Sequence, residues 1–134
     1  MEKMYSANII KGSREFTKRE KLMLTDTTNA ESLNDATKAG SFNIAPEDYA
    51  LVHVVNPNAK PDKQTGEVRD EYDVFVILDK EGHAYQTSSL VFIETFMHIW
   101  EVMKGDGDPE DFESACVRVP SNNNSGDYLT CRII

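Results

Sequence analysis

The side chains that could do chemistry in this sequence are few and scattered. His53, His83 and His98 stand apart, and none has a His-x-Glu, His-Glu-x-x-His or Cys-x-x-Cys pattern beside it, the spacings that bring two ligands to one metal ion. Cys116 and Cys131 are the two cysteines, too few for a disulfide framework or a four-thiolate zinc site, so both are expected as reduced thiols. Five carboxylates, Asp106, Asp108, Glu110, Asp111 and Glu113, crowd one stretch. A calcium loop spreads its oxygen ligands over about twelve residues and closes on a bidentate Glu. Pro109 interrupts this run, which reads as a solvated acidic loop. No Gly-rich phosphate loop and no G-x-S-x-G elbow occurs. With no enzyme signature, no metal spacing and no cofactor motif, the sequence points to binding.

One binding chemistry has candidates. Holding a single nucleic-acid strand without reading its sequence needs aromatic faces for stacking and cations that track the phosphates. Strand parity puts Phe75 and Tyr85 outward on one hairpin, with Lys80 at its tip and Lys60, Lys63 and Arg69 in the loop before it. It puts Arg118, Tyr128 and Arg132 together on the outer surface of a second hairpin. These nine residues form the candidate nucleic-acid-binding set. Each has a plain alternative: Phe75 as the core of a second buried face, the arginines as solvated or paired with carboxylates. Lys11, Arg14, Lys18, Arg19 and Lys21 make the one basic cluster, interleaved with Glu15 and Glu20.

Charge pulls the other way. The formal net charge is −9; residues 1–39 hold seven Lys/Arg against six Asp/Glu, and residues 40–134 hold seven against seventeen. Phosphate affinity rests on Lys and Arg displacing counterions, so such a balance weakens any polyanion partner.

A small fold must position these groups. At 134 residues and 40% hydrophobic content the chain can bury one core and not two. No stretch approaches the ~18–20 apolar residues of a membrane span, and the charged start lacks a secretory signature, so a cytoplasmic protein with no membrane contact is expected. Met4 to Lys11 reads as a strand ended by Gly12. Thr17 and Glu20 make a capping box for a short helix through Leu24. Thr27, Thr28 and Asn29 are caps for a helical turn over Ala30 to Ala36.

From Ser41 the pattern turns to period two. Ser41 to Ala45 and Tyr49 to Asn56 read as strand segments bent at Pro46, and a polar loop follows. Glu71 to Asp79 is a strand with Tyr72, Val74, Val76 and Leu78 on its core face and Asp73, Phe75, Ile77 and Asp79 on the other. It turns through Gly82 into His83 to Thr87. Ser88 or Ser89 caps a largely buried helix, Leu90 to Lys104, whose polar stripe is Glu94, His98 and Glu101. Ser114 to Val119 and Tyr128 to Ile133 form the second hairpin. There Ala115, Val117 and Val119 are expected inward with Leu129, Cys131 and Ile133, while Cys116 points outward, away from Cys131.

The order from residue 41, β-β-β-α-β-β, is that of the five-stranded oligonucleotide-binding (OB) barrel, with a helix between the third and fourth strands. The expected fold is mainly β with one buried helix: an OB-like domain over residues 41–134, preceded by an N-terminal extension of strand and short helix, residues 1–40, packed on it. The run VFVILDKEGHAYQTSS at 74–89, followed by an amphipathic helix and a strand pair, resembles the small single-stranded-DNA-binding proteins of tailed phages and mobile elements of Gram-positive bacteria. The resemblance spans roughly residues 41–134. It implies sequence-tolerant coating of single-stranded DNA in phage or mobile-element replication or recombination, with replication or recombination proteins as further partners and no cofactor. The charge supports a rival: an acidic protein-interaction module of phage origin, acting as a DNA mimic or an inhibitor of a host nucleic-acid-binding protein. The two separate on whether Arg69, Lys80, Arg118 and Arg132 gather with Phe75, Tyr85 and Tyr128 on one surface. The extension leaves open a homo-oligomer, by pairing with a neighbouring chain, or closure of the barrel edge.

Overall fold

The computed structural model describes residues 5–26, 30–38, 40–57, 61, 66, 68, 70–105, 107–120 and 127–134. The first strand forms as β1 (Ser6–Gly12). The capping box is present: Thr17 Oγ1 accepts from Glu20 N at 3.2 Å and Glu20 Oε1 accepts from Thr17 N at 2.8 Å, satisfying two N–H groups that open helix α1 (Lys18–Thr25) would otherwise leave bare. The two-residue strand β2 (Glu31–Ser32) and the single turn α2 (Leu33–Ala36) follow. The expected caps Thr27, Thr28 and Asn29 lie outside the described residues, and the helical turn begins later than expected, with Ser32 at its N-cap.

The break at Pro46 redirects the chain. Strand β3 (Phe42–Ile44) and strand β4 (Pro46–Val55) are nearly continuous, yet β3 pairs with β7 (Ser114–Pro120) and β4 with β5 (Glu71–Asp79). Proline has no N–H to give a ladder, and here it begins β4 beside a bulge between Pro46 and Asp48. Strand β5 turns tightly into β6 (Ala84–Thr87). In that turn Asp79 Oδ1 accepts from Glu81 N at 2.9 Å and His83 N at 2.8 Å, and Gly82 takes φ 88°. Ser89 caps α3 (Leu90–Trp100), its hydroxyl accepting from Phe92 N at 3.4 Å. The helix passes into a π-helical turn over Glu101–Gly105 before β7 and β8 (Asp127–Ile133).

The strands make a five-stranded sheet, β1-β4-β5-β6-β2, and a three-stranded sheet, β3-β7-β8. All neighbours are antiparallel except β2 and β6. The fold is thus mainly β with its longest helix after β6, and the described strands stay in two sheets without closing into a barrel.

Both faces of the large sheet are buried, against the expectation of one core face. Phe75 and Ile77 lie in a cluster with Tyr49, Phe92, Phe96 and Phe112, beneath α3 and the small sheet. Val74 and Val76 lie in a second cluster with Val52, Val54 and Leu24, beneath α1. A strand covered on both sides reads as a continuous apolar run, and VFVIL has that character. The N-terminal residues supply the second cover, so they complete the fold.

The second hairpin departs from its expected parity. Cys116 pairs with Cys131 and Arg118 with Leu129, so even positions of β7 share a face with odd positions of β8. Ser114, Cys116, Leu129 and Cys131 are the buried set, and Ile133 is exposed. A shift of one residue moves every side chain to the other face. Cys116 therefore faces inward opposite Cys131; both are free thiols, and burial pushes them up to about 12 and about 11.

Candidate functional site

The six candidates among the described residues do not converge on one surface. Lys60, Lys63 and Arg69 lie outside the described residues. Phe75 is fully buried, its ring 5.3 Å from Tyr49 and 5.4 Å from Phe96. Tyr85 is also buried, tilted against Phe42 at 5.2 Å, and burial followed by the nearby Asp79 raises its pKa. Both were expected outward; α3 and the small sheet cover the face that holds them. A base cannot stack on either ring in this conformation.

Two of the described cations, Lys80 and Arg118, are committed as well. Lys80 Nζ lies 2.9 Å from Asp111 and 3.7 Å from Glu47, and Asp111 above all holds it protonated beyond the ordinary lysine range. Asp111 also accepts from Lys104 Nζ at 2.7 Å. Lys104 and then Lys80 hold that carboxyl down to about 2. Part of the acidic loop is therefore a clamp joining the β5–β6 turn to the end of α3. Arg118 Nε donates to Thr37 Oγ1 at 3.2 Å, and its terminal nitrogen donates to Asn34 O at 3.2 Å and Asn34 Oδ1 at 3.1 Å. It fastens β7 to α2, on the face opposite Tyr128 and Arg132. Of the described candidates those last two alone share an exposed surface, on β8.

The basic cluster divides. Arg14 pairs with Glu20 and, at 3.2 Å, with Asp48; these contacts raise its pKa and hold Glu20 down to about 2. Ser13 Oγ adds a 2.9 Å bond to Asp48, so this set anchors the approach to α1. Lys11, Lys18, Arg19 and Lys21 are exposed and enter no ion pair among the described residues.

Two further groupings were not visible in the sequence. His53 Nδ1 lies 2.8 Å from Asp73 and its Nε2 3.4 Å from Glu71; hydrogen bonds to Asp73 and then Glu71 raise its pKa. Strand register makes this cluster, because His53 and Asp73 are direct ladder partners 20 residues apart. At the β5–β6 turn, ligand atoms of Asp79, Glu81 and His83 lie within 4.8 Å of one another and could hold a cation. The amide bonds to Asp79 account for that arrangement as turn geometry.

The expected stripe is present along α3 and the π-helical turn that continues it. Glu94, His98 and Glu101 are exposed and flanked by Leu90 at 73%, Val91 at 45% and Val102 at 59% exposure. Glu110 N donates to Met103 O at 2.8 Å, bringing the acidic loop alongside the same end of the helix. Among the described residues no helix is long and apolar enough to cross a membrane. Comparisons with protein-family models, with curated proteins and with solved structures found no match to this chain.

Proposed function

We propose that this chain is a non-catalytic protein-docking module that meets a basic partner protein through the acidic, apolar-edged face of α3. The observation that carries this reading is the exposed stripe from Leu90 to Val102, where Glu94 and Glu101 stand between uncovered aliphatic side chains. Exposed apolar residues flanked by charge are the usual make-up of a protein contact, and the sign of the charge selects a basic partner. Nucleic-acid-binding proteins of a host cell present such surfaces, so action as a DNA mimic or inhibitor, in a phage or mobile-element setting, is the specific form of this reading.

Single-stranded DNA binding in replication or recombination is the second reading, favoured by topology. The segment 42–55 pairs with β5 in one sheet and β7 in the other, as the bent first strand of an OB barrel does, with the β6–β8 seam open. Fold alone does not assign function, and burial of Phe75 and Tyr85 removes the stacking platform that this reading needs. Fluorescence anisotropy with a labelled thymine oligonucleotide at low salt separates the two. The docking reading expects no binding at micromolar protein, and release of the oligonucleotide from a basic single-strand-binding domain by the wild type but not by Glu94→Lys/Glu101→Lys. Direct binding that weakens steeply with salt would overturn it in favour of the second.

A further inference from the structure

Among the described residues the outer face of the large sheet is covered by a single eight-residue helix. Leu24 seals the helix to the sheet and is fully buried, whereas Leu22 and Met23 on its crest are 72% and 62% exposed. Two neighbouring large apolar side chains in water on a short helix call for a covering surface.

The crest has a depression on each side. Toward β1 a groove of about 420 Å³ is floored by Ala7 and Ile9 and rimmed by Lys18 and Lys21. Toward the β5–β6 hairpin a groove of about 660 Å³ is floored by Leu78 and Ala84 and edged by Glu31 and His83. Glu81 belongs to the same edge, its carboxylate within 4.8 Å of His83 and its side chain 81% exposed. One flank of the ridge is therefore basic and the other acidic, with apolar floors on both.

We propose that this face is the contact of a two-fold symmetric dimer of the chain. A two-fold axis parallel to the ridge and set between the crest and the groove over Leu78 and Ala84 carries each crest over the partner copy's groove and each basic rim toward the acidic edge beyond it. The basic flank of one copy then meets the acidic flank of the other, twice, and each crest of Leu22 and Met23 enters the partner copy's groove over Leu78 and Ala84. Such an isologous contact is closed and self-limiting. Other occupants fit less well. Edge-to-edge pairing of β1 would set Lys11, Lys18 and Lys21 against their own copies, and a nucleic-acid strand on the basic flank would leave Leu22 and Met23 bare. The dimer is independent of which partner α3 meets.

Sedimentation velocity at low salt, from about 5 to about 200 μM, a range that reads micromolar association, tests it. The wild type is expected to move from monomer to dimer across that range, and Leu22→Asp/Met23→Asp to stay monomeric with an unchanged far-UV spectrum. Lys21→Glu and Glu31→Lys should each weaken the dimer roughly tenfold, and the combined swap should restore it. The swap leaves the crest intact and so reads the same contact if the aspartate variant fails to fold. A wild type that remains monomeric at the highest concentration, or a dimer indifferent to both sets of changes, overturns the proposal.

Discussion

The two faces of the large sheet are built from alternate residues of the same strands and end up with opposite characters. The inner face is aromatic: Tyr49 and Phe75 meet Phe96, and Trp100 and Phe112 close the group, with ring centroids 5.2–6.2 Å apart. The outer face is mainly aliphatic, Val52, Val54, Val74 and Val76 under Leu24, with Phe16 and Tyr72 only partly buried at its margin. Aromatic rings bury large areas and gain from offset and edge-to-face contact, so the inner face is committed to stability. Small β-branched side chains under one short helix seal less, and the exposed crest of α1 follows from that. The clustered rings mark the inner core, and the more aliphatic face leaves surface for a partner.

Phe75→Ala should be the most damaging single change. It removes a fully buried ring with two aromatic neighbours, at about 3–5 kcal/mol, read as a fall in the urea midpoint at constant slope. If Phe75 instead lay on an exposed stacking surface, the same change would move the midpoint little. Leu24→Ala on the outer face should cost about 2–5 kcal/mol and fall below Phe75→Ala, because α1 is short and can settle into the space. A larger loss at Leu24 than at Phe75 would reverse the ranking of the two faces.

That ranking also explains what could be read in the sequence. The Thr17 box, the hairpin through Gly82 and the Ser89-capped helix rest on local signals and formed as expected. Alternation locates two faces but not what covers each, so the outward placement of Phe75 and Tyr85 fails while the alternative for Phe75, a second buried face, holds; the covers are α3 with the small sheet on one side and α1 on the other. Cys116 was misplaced because register is a non-local property. Ala115, Val117 and Val119 are the more apolar half of β7, yet the pairing of Arg118 with Leu129 turns Ser114 and Cys116 inward. The Lys80–Asp111–Lys104 clamp joins residues 31 and 7 positions apart in the chain, and no spacing rule foretells it.

Thr17→Ala tests the outer face more gently. It removes the hydroxyl that accepts from Glu20 N, and loss of such a cap costs about 1 kcal/mol. Because α1 is the only helix over that face among the described residues, hydrogen exchange should quicken in α1 and in β1 while β5 and α3 stay protected. Uniform loss of protection would mean that the two faces open as one unit.

His53 marks where the inner face ends. It lies on the same side of β4 as Tyr49 and Leu51, yet it is 38% exposed and bonded to carboxylates instead of rings. Asp73 and then Glu71 raise its pKa above 6.5, so the folded chain binds this proton more tightly than the unfolded one. The resulting stabilisation is fully present below about 6.5 and is lost as pH rises through the higher folded value. The effect is small, since the group is exposed and water screens the pair. An NMR titration of the imidazole should give a midpoint above 6.5 in the wild type and a lower one in Asp73→Asn, with Glu71→Gln producing the smaller shift. A titration unmoved by Asp73→Asn would place His53 away from Asp73 in solution, and the inner face would then extend further along β4 than the ring cluster indicates.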